Sequence, residues 1–167
     1  MIRPEDFREA MQRFAGPVTT ITTIEDGVPC GLMATAVCSL SAEPPSLVVC
    51  INKTASAHDT ILKQGFMGVS VLPDTQMAFA NHFARSKGPD RFEGALWSFQ
   101  ETGSPLLASA SVAFDCRIAK TYDGYSHTIV VGIIHDILLP NQDADRCLLW
   151  HRQGFVSLAD KAAAENA

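Results

Sequence analysis

Gly31 to Lys53, GLMATAVCSLSAEPPSLVVCINK, is the stretch whose reading decides the fold. Small and β-branched residues flank Glu43-Pro44-Pro45, and prolines next to an acid favour a turn, so two strands folded back on each other are expected. The first, Met33-Ala34-Thr35-Ala36-Val37-Cys38-Ser39, carries little bulk and two hydroxyls. A flat ligand could lie against such a strand and take hydrogen bonds from main-chain donors. Lys53 stands at the exit of the second strand.

Toward the N-terminus, Val18 to Ile24 (VTTITTI) is wholly β-branched and reads as a strand, with Glu25-Asp26-Gly27 turning it back into the Gly31 stretch. Before it, Pro4 to Ala15 has a proline and two acids in its first turn and Phe7, Met11 and Phe14 on one side, which predicts a helix ended by Gly16-Pro17. After Lys53, Ser56-Ala57-His58-Asp59 resembles a capping box for a helix that stops at Gly65. Phe66 to Leu72 is then a strand, Pro73-Asp74 opens a helix reaching Ala84, and Arg85 to Gly94 is a charged loop. Trp97 and Phe99 alternate as on a strand edge. Leu107 to Ala119 and Thr128 to Leu138 are long strand-like segments joined by Asp123-Gly124-Tyr125-Ser126, a second hairpin, and Cys147 to Trp150 with Phe155-Val156 could close the sheet. There is no alternation of strand and helix such as a parallel sheet requires, so the fold class expected is mainly β: an antiparallel barrel with helices packed outside.

Composition bounds the function. At 167 residues a single domain over 1–158 is expected, with the alanine-rich 159–167 as a flexible tail. The 47% apolar and 19% charged fractions and the mean hydropathy of +0.09 are those of a water-soluble globule, with no apolar run long enough to span a bilayer. A net charge of -5 and scattered Lys and Arg disfavour nucleic acid. Met-Ile-Arg-Pro-Glu-Asp lacks the pattern of a secretion signal, which points to the cytoplasm. The odd set Cys30, Cys38, Cys50, Cys116 and Cys147, without a C-x-x-C pair, reads as reduced, buried small hydrophobes rather than a disulfide framework or a metal site.

Dinucleotide and phosphate-loop glycine motifs, a nucleophile elbow and metal-ligand histidine spacings are all absent, so any chemistry must come from a bound organic cofactor. What remains is an anion site of Lys53, Ser56 and the helix beginning there. The plain alternative is a solvated lysine beside an ordinary N-cap.

Read together, the pieces resemble the flavin reductase-like domain family. The matching residues are Phe7-Arg8-x-Ala10-Met11, Val18-Thr19-x-Ile21-Thr22-Thr23, Gly31-x-x-Ala34-Thr35-Ala36-Val37-Cys38-Ser39-x-Ser41-x-x-Pro44-Pro45 and Val49-Cys50-Ile51-Asn52. Beyond them come Val69-x-Val71-Leu72 with Gln76, His82-Phe83-Ala84, and Arg91-Phe92 before Trp97. Thr102-Gly103-x-Pro105-x-Leu107, Phe114-Asp115-Cys116-Arg117 and His127 ahead of Val131-Gly132 complete the set. The resemblance implies a split β-barrel homodimer that takes FMN or FAD in a groove at the dimer interface. NADH or NADPH would be the hydride donor, and diffusible reduced flavin would go to a partner monooxygenase.

Carried over by position, Met33, Ala34, Thr35, Ala36, Val37 and Cys38 would line the flavin ring, with Ser39 at its edge and Cys50 bordering it. Asn52, Lys53 and Ser56 would hold the phosphate. Phe83, Ala84, Arg91 and Phe92 would bound the site, His127 would sit on the nicotinamide side, and no metal is implied. Two alternatives stay open: a fixed FMN that reduces another acceptor such as a cobalt corrinoid, and a non-catalytic flavin- or haem-binding split barrel. The chain departs from the family at one hairpin, where many relatives carry Gly-Asp-His and this one reads Gly124-Tyr125-Ser126-His127.

Overall fold

The β-branched run near the N-terminus forms a buried strand paired on both sides. In the computed structural model, which describes residues 2–139 and 146–158, helix α1 (Pro4–Met11) and the short β1 (Gly16–Pro17) lead into β2 (Thr19–Glu25), whose threonines and isoleucines suit a pleated surface. Asp26 and Gly27, with φ of 51° and 80°, make the two-residue turn into β3 (Val28–Ala34), which pairs with β2 from Thr19↔Ala34 to Glu25↔Val28. Then come β4 (Val37–Ala42), β5 (Pro45–Asn52), α2 (His58–Gln64), β6 (Phe66–Val71), α3 (Met77–Arg85), β7 (Trp97–Phe99) and β8 (Pro105–Leu107). The chain finishes with β9 (Val112–Gly124), β10 (His127–Leu138), β11 (Leu148–His151) and β12 (Gly154–Ser157).

Seven strands form one antiparallel sheet in the order β3-β2-β6-β9-β10-β5-β4. The two edges, β3 and β4, are consecutive in the chain, so the sheet must curl until they meet across Thr35-Ala36. Apolar residues from both ends of the strand order confirm the curl: Leu32 and Ala34 of β3 share one core with Leu47, Val49 and Ile51 of β5, around Ile21, Met67, Val69 and Val130. The mainly β class and its antiparallel hairpins are as expected, with an open seam between β3 and β4 consistent with a split barrel. A second core, with Val18, Leu72, Phe79, Phe83, Phe92 and Leu148, lies under α3 and the C-terminal strands.

Several expectations are corrected. Met33 to Ser39 is not one strand: it breaks at Thr35-Ala36, because the chain there crosses from one sheet edge to the other. Ser56 does not cap α2; the N-cap is Ala57, no side chain caps it, and His58 enters the first turn with its ring buried. The helix expected from Pro73 is a 3-10 turn, Asp74–Gln76, followed by α3, and the 85–94 loop contains another 3-10 turn, Gly88–Phe92. Leu107 to Ala119 divides between β8 and β9.

β11 and β12 do not close the main sheet. They join β1 in a three-stranded sheet, because Leu148 exchanges backbone bonds with Val18 and Leu72 at 2.9 and 2.7 Å and buries itself in the second core. Helix α1 stops at Met11 and buries none of its residues: Phe7 and Met11 are solvent-facing, as is Phe14 beyond the helix end. The tail at 159–167 lies outside the described residues.

All five cysteines are free thiols, but only Cys116 is fully buried and Cys38 is exposed on the β4 edge, which corrects the reading of all five as buried. Burial first, and the neighbouring Asp115 second, push the Cys116 thiol up to about 12. A thiol reagent at neutral pH is therefore expected to modify Cys38 readily and leave Cys116 untouched until the protein unfolds, as peptide mapping after timed labelling would show. Because the folded value lies above the ordinary 9.0, stability from this group is complete below pH 9 and declines as pH rises toward 12.

Candidate functional site

An open seam in a curled sheet leaves two strands that each pair on one side only, so peptide groups along β3 and β4 face outward without a ladder partner. The crossing at Thr35-Ala36 is held in place from three sides. The Thr19 hydroxyl donates to the Ala34 carbonyl at 2.6 Å, the Cys50 amide donates to the Ala36 carbonyl at 3.0 Å, and β1 passes so close that a Cβ on Gly16 would lie 2.8 Å from the Thr35 carbonyl oxygen. The backbone is thus fixed while Thr35 and Ala36 stay exposed.

Beside this crossing lies an apolar cleft of about 250 Å³, lined by Val18, Met33, Ala34, Thr35, Ala84, Trp150 and Phe155. Four of these, Met33, Ala34, Thr35 and Ala84, are residues expected from sequence. Three are not: Val18 reads as one more strand residue, and Trp150 and Phe155 arrive through the β1-β11-β12 sheet, which no local pattern announces. Trp150 and Phe155 pack edge to face with ring centroids 5.2 Å apart.

Farther along the expected lining, strand alternation separates the side chains. Val37 turns inward and packs on the barrel core, while Cys38 and Ser39 are exposed on the edge strand and Cys50 is half-buried. Phe83 and Phe92 do not line the cleft. They are buried in an aromatic cluster with Trp97, at 5.3 Å between Phe83 and Phe92 and 4.8 Å between Phe92 and Trp97. They form a wall behind the cleft, in the core against which the cleft residue Met33 packs. Arg91 straps that wall to the barrel: its Nη1 donates to the Gly31 carbonyl at 3.3 Å, its guanidinium carbon sits 5.9 Å from the Phe83 ring centroid, and its Nε is buried without a partner among the described residues.

The second group gathers where β5 leaves the sheet. Asn52 is paired with His127 in the β5–β10 register, and the Lys53 amide donates to the Ser126 carbonyl at 3.0 Å, so Asn52, Lys53 and His127 share one end of the barrel. The Asn52 side-chain oxygen accepts from the Thr54 amide and hydroxyl, each at 2.9 Å, which shapes the turn leading to the exposed Ser56. His127 Nδ1 lies 2.9 Å from the Ser126 hydroxyl. His58 bridges to Thr128 on β10, its Nε2 lying 2.8 Å from Oγ1, and so ties α2 to this end.

Lys53 reaches past β10 to pair with Asp123 of β9, two strands away, a partner the sequence reading does not identify. The Lys53 hydrogen bond, and then its charge, hold the Asp123 carboxyl below its usual value, so the pair persists at mildly acid pH and is lost only as pH falls through that lowered value. Both side chains are solvent-accessible, so an arriving anion can compete with Asp123 for the ammonium. Among the described residues no cluster of histidine, cysteine and carboxylates could hold a metal, and no helix is long and apolar enough to cross a membrane.

Comparison with known proteins places these features in a family. The flavin reductase like domain matches residues 11–159. An FMN reductase (NADH), RutF, of Stutzerimonas stutzeri is 45% identical over 135 residues, covering 80% of this chain and 73% of its own. The reductase subunit HsaB of a flavin-dependent monooxygenase from Rhodococcus jostii is 33% identical over 157 residues, covering 94% of this chain and 79% of its own. Among solved structures, the NADH:FAD oxidoreductase SgcE6 of Streptomyces globisporus, in complex with NAD and FAD fragments, superposes with a TM-score of 0.86 at 30% identity, covering 97% and 98% of the two chains.

Proposed function

Since the chain belongs to the flavin reductase like domain family, we propose that it is an NAD(P)H:flavin oxidoreductase that takes free flavin, reduces it with NADH and releases it to a flavin-dependent monooxygenase. The observation that carries this reading is the open seam: a rigid, small-residue backbone crossing beside an apolar cleft, on a sheet that also gathers a lysine, an asparagine and a histidine at one end. The residues fit a flavin. Ala34, Thr35 and Ala36 leave room for a flat ring against the β3–β4 crossing, and Lys53 supplies the cation a phosphate needs, with Asn52 and Ser56 beside it.

Flavin, when bound, supplies the hydride-accepting ring, and the protein supplies position and electrostatics. Outward backbone donors on β3 and β4 would orient a bound ring and stabilise negative charge on it. Lys53 would exchange Asp123 for the phosphate, and His127, at the same end of the barrel, would serve the nicotinamide side. Trp150, Phe155 and Met33 exclude water from the apolar flank.

The cleft is small, about 250 Å³, and the Thr35-Ala36 crossing beside it is exposed, which leaves one side of the site open to a second chain. A second copy completes it. The uncovered Phe7 and Met11 of α1, with the exposed Phe14 just beyond its end, form the surface a homodimer would bury.

Lys53→Met is expected to weaken FMN binding about thirtyfold with little change in Tm, since it removes a charge-assisted phosphate contact but breaks only an exposed ion pair. Fluorescence titration of FMN checks this; an unchanged Kd would remove Lys53 from the phosphate site. Steady-state NADH oxidation tests the function itself. A rate that rises and saturates with added free FMN supports it, whereas turnover that ignores added FMN and needs a bound flavin with a special acceptor contradicts it.

A further inference from the structure

The hairpin between β9 and β10 carries an oddity that fold stability does not explain. Gly124 pairs with His127, so Tyr125-Ser126 is a two-residue turn, and only its first residue is left-handed, with φ of 62° at Tyr125. That is the type II′ pattern, in which the first central position favours glycine. A bulky side chain there strains the backbone. The other left-handed positions among the described residues hold glycines or the polar Asp26, Arg152 and Gln153.

The ring of Tyr125 gains nothing from packing in return, being 92% exposed. Yet its mounting is rigid. The Lys53 amide holds the Ser126 carbonyl at 3.0 Å, the Lys53 ammonium holds Asp123, and the strands close tightly at Gly124, where a Cβ would crowd the His127 carbonyl oxygen at 3.0 Å. An aromatic face, held at a strained turn next to the residue whose carbonyl the Lys53 amide holds, has the makeup of a nucleotide site: a ring to stack on and a cation on the adjoining strand end for the phosphate.

We propose that Tyr125 is a stacking platform for the adenine ring of an adenine dinucleotide, next to a phosphate held at Lys53. This rests on the reading of Lys53 as the phosphate group's partner given above. The adenine can come from FAD or from NADH, and the two sources separate experimentally because FMN and nicotinamide mononucleotide lack it.

The test is calorimetric titration of wild-type protein, Tyr125→Gly and Tyr125→Phe with FAD, FMN, NAD⁺ and nicotinamide mononucleotide, together with thermal unfolding. Tyr125→Gly is expected to weaken FAD, NAD⁺ or both about tenfold, with FMN and the mononucleotide within twofold of wild type. Loss with FAD alone assigns the platform to the flavin, and loss with NAD⁺ alone to the hydride donor. Tyr125→Phe should bind as wild type does, since it keeps the ring.

The Tm of Tyr125→Gly should stay level or rise by up to about 3 °C, because glycine relieves the left-handed strain. Unchanged affinity for both dinucleotides, equal loss with the mononucleotides, or a lowered Tm would each overturn the platform while leaving the reductase reading intact. A wild-type protein that binds no flavin at all would instead remove the reading on which the platform rests.

Discussion

Ala36→Trp is expected to raise the Kd for flavin at least a hundredfold while moving Tm by no more than about 3 °C. The residue is exposed at the crossing between the sheet edges, so an indole there displaces no core side chain. Its carbonyl bond to the Cys50 amide, at 3.0 Å, uses the main chain and survives the change. The indole would instead occupy the space in which a flat ring lies against β3 and β4, lifting it from the outward backbone donors. Flavin fluorescence titration and a melting curve on the same sample check both halves. Wild-type affinity in a folded variant would move the ring to another face of the barrel.

Gly68→Val is expected to have the largest effect on the fold, a loss of about 3 kcal/mol or more. Gly68 lies on β6 between Thr22 of β2 and Asp115 of β9. A Cβ at that position would come within 2.7 Å of Leu106 Cδ2 and of the Thr22 hydroxyl, and within 2.8 Å of the Pro105 carbonyl oxygen. The leucine could swing away, but the carbonyl is backbone, and Thr22 is tied to it because its hydroxyl donates to that same oxygen at 2.5 Å. The strand β8 must therefore shift off the barrel, and with it the buried Leu106 and Leu107. Urea denaturation measures the loss; a midpoint near wild type would mean that β8 is not seated as described.

The two substitutions mark the limits of what the sequence discloses. The hairpins β2–β3 and β9–β10 are legible because their signals are local: a β-branched run, a turn dipeptide and another run. The seam is not. Met33 to Ser39 reads as one strand because its residues have uniform strand character, and only the global strand order reveals that Ala34 and Val37 sit on opposite edges. Ser56 reads as a cap because serine before a helix usually is one, yet burial of His58 against Thr128 sets the helix start one residue later.

Among site residues, those identified by type and position in one segment, such as Ala34, Thr35 and Lys53, lie where a ligand can reach them. Phe83 and Phe92 have the right chemistry to wall a flat ligand, but the same apolar surface draws them together under α3. Trp150, Phe155 and Asp123 come to the site through long-range pairing, for which a single sequence holds no local signal.

The most direct test of the central claim is the visible spectrum of free FMN mixed anaerobically with a trace of this protein and excess NADH. The flavin absorption band should bleach at a rate proportional to protein concentration, go to completion with many flavins reduced per chain, and return on admission of air. Bleaching no faster than in the protein-free control, or limited to one flavin per chain, would contradict a reductase that releases its reduced flavin.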